Sequence, residues 1–358
     1  MTRDWRPAAG LALALAIALA GQALAQPLGA WLFGMAKSPL TGVTLAVLLG
    51  LLLANTLKLP AFVESGAHLA VTHVLRAGIL LLGFRLSFAD AVGIGAQGLP
   101  VIAVTISCAL LLVTLLGRAL GLPPRLATLI GVGTGICGAT AIAATAPTIG
   151  ARAAETSYAV ACIVLFGMSA MLVYPLLAHW LFEGDALRAG LFFGSAVPDT
   201  SQVVGAGMAY REYYDDPRAL EVATVTKMMR NLAMIGVIPL MSIRFHARAA
   251  ASDPCAPPPR WYSLVPLFVL GFAAASALRS VGDLGPRPFG ALDPAAWQRF
   301  IDTARIGADL LLATAMAALG LSTRVATLRE IGLRPLAVAF GCTLTVGAAS
   351  ALAAVLST

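Results

Sequence analysis

GVGTGICGATAIAATAP at residues 131–147 and GSAVPDTSQVVGAG at residues 194–207 each set glycines, hydroxyls and a proline inside a hydrophobic run long enough to cross a bilayer. In hydrocarbon, a backbone N–H or carbonyl without a helical partner finds no water. Irregular chain survives there only inside protein or along a wet cavity. A pair of such interruptions is the sequence mark of a mid-membrane binding site, where half-helix N-termini face an anion and loosened carbonyls face a cation. The two stretches therefore predict a membrane transporter of an anion.

Composition agrees. Of 358 residues, 11% are charged and 59% are hydrophobic, and the mean hydropathy is +0.87. Soluble domains carry roughly 25% charged residues, so a soluble fold is excluded. At about 20 apolar residues per crossing, the sequence predicts an all-α polytopic membrane protein of about 11 transmembrane helices. The segments are 9–26, 40–57, 67–86, 98–117, 125–148, 156–181, 187–210, 218–243, 262–280, 298–321 and 335–357, with 125–148 and 187–210 interrupted. The whole chain, 1–358, reads as a single integral transporter domain.

Basic residues are retained on the cytoplasmic side. With the N-terminus inside, twelve Lys and Arg fall on the cytoplasmic side and eight on the other, and the two richest loops, 244–260 and 322–334, are both inside. The expected orientation is N-terminus cytoplasmic and C-terminus periplasmic, and the net charge of +7 follows largely from topology. No nucleic-acid partner is expected. Arg3 and Arg6 precede the first apolar run, and Ala23-Leu24-Ala25 has the small-x-small form of a signal-peptidase site, so 9–26 is read as a first transmembrane helix or a signal anchor. The prolines of SDPCAPPP make 244–260 a cytoplasmic linker. Cys108, Cys137, Cys162, Cys255 and Cys342 show no paired spacing, and neither a metal nor a cofactor is expected.

LLLGFRLSFADAVGIGAQGLPVIAV at 80–104 and AALGLSTRVATLREIGLRPLAVAF at 317–340 share Leu-Gly, a polar step containing Leu-Ser, an amphipathic stretch and a Gly-Leu-(x)-Pro opening of the next span. The topology above places them in opposite orientations, as in an inverted repeat.

Within the first interruption, Gly131, Gly133, Gly135 and Gly138 surround Thr134, Cys137 and Thr140. Each glycine weakens a helix by about 1 kcal/mol relative to alanine, which favours a genuine break. Close helix packing through small residues is the competing reading. The second interruption puts Pro198 before Asp199, Thr200, Ser201 and Gln202. Asp-Thr-Ser ahead of a helical run has N-cap chemistry, and an ionised Asp at bilayer depth is costly and usually functional; a surface turn is the alternative. Lys227, Arg230 and Asn231 share one helical face in TKMMRN. Snorkelling competes there with a net positive cavity in which a guanidinium grips an oxyanion. Asp199 is the leading coupling residue, for H⁺ or Na⁺, and Glu155 the second. Asp302, Arg305 and Asp309 at i, i+3 and i+7 are expected to neutralise one another, while His68, His73 and Arg76 are expected at the interface.

GTGICGATAIAATAP, FGSAVPDTSQVVGAG and K-x-x-RN resemble the hallmark segments of the YeiH-type family of proposed sulfate exporters. That resemblance implies a bacterial inner-membrane protein, related to bile-acid and arsenite carriers, with an inverted repeat and crossing unwound helices. Its name points to sulfate or a sulfonate-related anion. The chain is thus expected to be a secondary transporter and not an enzyme, with the bilayer and a small anion as partners and a homo-oligomer compatible with the sequence. An anion channel, or an intramembrane enzyme drafting Cys137, Ser201 or Asp199, is the alternative; no phosphate loop for nucleotide hydrolysis is present.

Overall fold

The computed structural model describes residues 6–33, 41–246, 266–284, 287–290, 292–324 and 333–357. Most of the 244–260 linker with Cys255, and residues 325–332 of the second repeat-like segment, lie outside them. In chain order the helices begin α1 (Arg6–Phe33), α2 (Gly42–Thr56), α3 (Ala61–Leu69), α4 (Leu75–Leu82), α5 (Phe88–Ala119), α6 (Pro124–Gly135), α7 (Ala139–Thr145) and α8 (Ala153–Leu181). They continue α9 (Ala186–Ala196), α10 (Thr200–Tyr214), α11 (Arg218–Leu232), α12 (Met234–His246), α13 (Leu267–Gly282), α14 (Pro294–Ser322) and α15 (Leu333–Leu356). No strand occurs among the described residues.

Seven helical segments of the described residues are long and apolar enough to cross a bilayer: Pro7–Leu28, Ala61–Arg85, Phe88–Ala119, Ala153–Leu181, Arg218–Phe245, Pro294–Ser322 and Leu333–Leu356. The other expected crossings are shorter helices or broken ones. Thr41 starts α2 late, its hydroxyl capping Thr44 N–H at 3.0 Å, and 125–148 and 187–210 are each split into two helices.

The chain forms two compact units. One comprises Met1–Gly93, Met208–Pro217 and Leu267–Val325. Its helices approach through glycine: a Cβ on Gly66 would lie 2.5 Å from Gly10 Cα and from Pro7 O, and one on Gly50 would lie 2.5 Å from Ala317 O. Such contacts let α1 meet α3, and α2 meet α14, at backbone distance, where dispersion and lipid exclusion replace the hydrophobic effect. Gly66→Leu should therefore separate α1 from α3 and lower the melting temperature of the purified protein by at least about 5 °C, the scale of an overpacked core site.

The same unit overturns the expected self-neutralisation of α14. Arg305 pairs with Asp302 at 3.6 Å, but Asp309 Oδ1 accepts from Arg85 at 2.6 Å and from Arg211 at 2.7 Å. The distant arginines are the more buried partners, Arg85 at 7% and Arg211 at 19% side-chain exposure against 34% for Asp309, and a buried guanidinium needs a counter-charge. His68, His73 and Arg76 are exposed on the protein's exterior, consistent with an interfacial position, and Arg76 lies over the Phe268 ring at 5.9 Å.

The second unit comprises Ile94–Gly207, Arg218–Pro266 and Ala326–Thr358. Its core joins Ile130, Ile136, Ile142, Ile163, Ile238 and Val346. α9 lies directly on α11, because a Cβ on Gly190 would come within 2.5 Å of Val222 Cβ and one on Gly194 within 2.5 Å of Thr226 Cβ. Both interruptions and the Lys227 face belong to this unit.

Candidate functional site

The first break follows from glycine. α6 ends at Gly135, Ile136 leaves the helical region, and Gly138 sits at φ 66°, ψ −129°, a conformation open essentially to glycine alone. Gly138 N–H reaches back to Gly133 O at 3.0 Å. The carbonyls of Thr134, Gly135 and Ile136 are thereby left outside the helical ladder.

The second break follows from proline. Val197 adopts ψ 128° at the end of α9. Gly194 O would ordinarily accept from the residue four positions on, which is Pro198 and has no N–H. Beyond it, Asp199 caps α10. Its Oδ1 accepts from Ser201 N–H at 2.9 Å and Ser201 Oγ–H at 2.6 Å, while Gln202 Oε1 accepts from Asp199 N–H at 3.3 Å. Asp199 thus caps the second helical N–H, and Gln202 at the third position closes back on the Asp199 N–H as in one half of a capping box.

Lys227 and Arg230 join the two breaks. Lys227 Nζ donates to Ile136 O at 2.7 Å, Val197 O at 3.1 Å and Pro198 O. Arg230 donates through Nε to Gly135 O at 2.8 Å, through Nη1 to Val197 O at 3.0 Å and Gly194 O at 3.4 Å, and through Nη2 to Thr134 O. Six carbonyls, three from each break, are held by two side chains that are both 0% exposed. Each cation also faces the negative end of a half-helix, α6 or α9, where positive charge is favoured. Arg230 lies in the interior of its unit, as a functional rather than a snorkelling residue would. All three of its nitrogens go to backbone carbonyls, not to Asp199, so it offers no free fork to an oxyanion in this conformation.

Of the remaining candidates, Cys137, Gly138, Pro198, Ser201, Gln202 and Asn231 are buried. Asp199 and Thr200 are half-buried and Thr140 is exposed. A Cβ on Gly138 would lie 2.9 Å from Asp199 Oδ2, which places the two breaks side by side. Asn231 Nδ2 reaches Thr200 Oγ1 at 3.4 Å, and Asn231 Oδ1, buried, has no hydrogen-bond partner among the described residues. Cys137 Sγ lies 3.2 Å from Met234 Sδ. Glu155 is not brought to the breaks: its Oε2 accepts from Arg152 N–H at 2.8 Å and caps α8. No cluster of His, Cys, Asp or Glu able to hold a metal occurs among the described residues.

Gly167 escaped the sequence reading. The Gln202 amide lies directly against its Cα, where any Cβ would collide with Oε1, and Gln202 Nε2 reaches Val164 O at 3.4 Å. A single glycine inside the unbroken α8 carries no local sign of this task. Gly138→Ala meets two penalties at once, a left-handed backbone and the Asp199 carboxylate. The strain alone is about 1–3 kcal/mol, so the variant should melt several degrees lower.

Seven long apolar helical segments, together with a pair of helix breaks bridged by buried Lys227 and Arg230, define the class: a polytopic helical membrane protein. The chain belongs to the UPF0324 family, and the family profile described as "Conserved hypothetical protein 698" matches residues 9–339. It is 33% identical over 334 residues to the UPF0324 inner membrane protein YeiH of Salmonella typhimurium, covering 91% of this chain and 88% of that protein. The Escherichia coli (strain K12) protein of the same name matches at the same identity and coverage. A UPF0324 membrane protein of Yersinia pestis is 34% identical over 315 residues, 84% of this chain and 80% of that one. No solved structure matches the chain.

Proposed function

We propose that this chain is a secondary active carrier of a small anion in the bacterial inner membrane, with its binding site at the two breaks. The observation that carries this reading is the joining of both breaks through Lys227 and Arg230. Two buried cations against one carboxylate leave an excess positive charge at a depth where charge is expensive. The N-terminus of α10 adds its own partial positive charge. Asp199 is the resident anion on that terminus, and a substrate anion competes with it. Thr134, Gly135, Cys137, Gly138, Thr140, Pro198, Thr200, Ser201, Gln202 and Asn231 complete the proposed binding region, with Lys227 and Arg230 setting its potential from behind. The unpartnered Asn231 Oδ1 is an acceptor for a protonated group of the substrate or of Asp199.

In this reading the chain acts as one transporter domain. α2, α13 and the two broken pairs cross the membrane together with the seven long segments, giving eleven crossings, with the N-terminus cytoplasmic and the C-terminus periplasmic. The repeat-like segments at 80–104 and 317–340 are oppositely oriented. Sulfate and sulfonates are the first anions to test, with coupling through Asp199 to protons and Glu155 as the second candidate. Purified protein in liposomes, offered labelled anions under imposed proton or sodium gradients, should show saturable uptake of one anion class without chemical change. Flux that never saturates indicates a channel, and altered product indicates an enzyme.

A further inference from the structure

Among the described residues Lys227 has three acceptors for its amino group: Ile136 O from the first break, and Val197 O and Pro198 O from the second. An ammonium carries three N–H donors, one for each carbonyl, whereas a neutral amine would turn its lone pair on one of them. Loosened carbonyls at paired helix breaks are the groups that ligate a free monovalent cation in carriers of this general build. We infer that these three carbonyls form a monovalent-cation site whose permanent occupant is the Lys227 ammonium, a cation tethered by its own side chain. Resting on the carrier reading, this deepens it: no sodium ion enters or leaves at this point in the cycle, and the two breaks stay joined without one.

The carbonyls come from different helices, so removing the ammonium leaves oxygen dipoles facing one another in a dry space, a cost that a small cation relieves. The side-chain stem leaves room for it. Lys227→Ala therefore converts a tethered cation into a vacant site for a primary alkylammonium, with sodium as the smaller competitor. Lys227→Met fills the same space with apolar atoms and creates none.

Melting temperature of the full-length purified protein provides the test, in chloride salts of n-propylammonium, sodium and choline at constant ionic strength. Wild type should melt at one temperature in all three. Lys227→Ala should melt at least about 5 °C lower in choline and recover half or more of that loss, saturably, in n-propylammonium. Lys227→Met should recover nothing. A folded Lys227→Ala protein indifferent to all three salts, or wild type stabilised saturably by sodium over choline, overturns the inference. The wild-type arm decides even where the alanine variant does not fold. None of these readouts requires transport, so failure of the carrier reading in liposomes is a separate result.

Discussion

Under the proposed carrier function, Arg230→Lys is expected to cripple anion uptake although the charge is kept. The guanidinium reaches four carbonyls through three nitrogens spread over its plane, two in the first break and two in the second. Lys227 still holds Val197 O, but an ammonium on a shorter stem is a single point and cannot span Thr134 O, Gly135 O and Gly194 O, which lie in both breaks. Each buried carbonyl without a donor costs about 1–3 kcal/mol, against a total stability on the order of 5–15 kcal/mol. The melting temperature should fall by at least about 5 °C, and uptake by roughly 100-fold, the scale on which ångström-level misplacement acts in a preorganised site. Arg230→Met should be worse, since it also uncovers the negative ends of α6 and α9. Lysine at this position with wild-type melting and uptake would mean that the breaks do not need their bridge.

How much of this was legible beforehand depends on the range of the interaction. Gly138 and Pro198 mark their breaks because each acts on its own backbone: one permits a left-handed turn and the other withholds an N–H. The Asp199 cap was legible for the same reason, its partners Ser201 and Gln202 lying two and three residues on. Lys227 and Arg230 could be assigned to one face of α11, but not to carbonyls 29 to 96 residues away, since a carbonyl carries no side-chain signature. In the structure the partners are the carbonyls at the two helix ends. Asp309 repeats the lesson: Arg305 four residues earlier suggested local pairing, whereas Arg85 sits 224 residues away and Arg211 98. Gly167 was invisible because its neighbour Gln202 is on another helix. The eleven expected spans were drawn by hydropathy, which cannot tell one long helix from two short ones end to end.

That local geometry also makes Asp199 the sharpest test of coupling. Asparagine caps a helix about as well as aspartate, and its Oδ1 can keep both Ser201 bonds in the same volume beside Gly138. Asp199→Asn should therefore fold and bind anion normally while standing permanently in the protonated form. In liposomes, wild-type uptake should vary with the pH imposed across the membrane, and the asparagine variant should be flat, with loss of concentrative uptake but retained exchange. Asp199→Ala is the control for the cap alone: it should lose about 1 kcal/mol of stability, which asparagine should not. Two outcomes separate the roles of this carboxylate. Should Asp199→Asn keep the wild-type pH profile while Asp199→Ala melts early, Asp199 is a cap and counter-charge only, and proton coupling has to be sought at another carboxylate. Glu155 then faces the same objection that Asp199 has just failed, because its carboxylate is already engaged in capping α8.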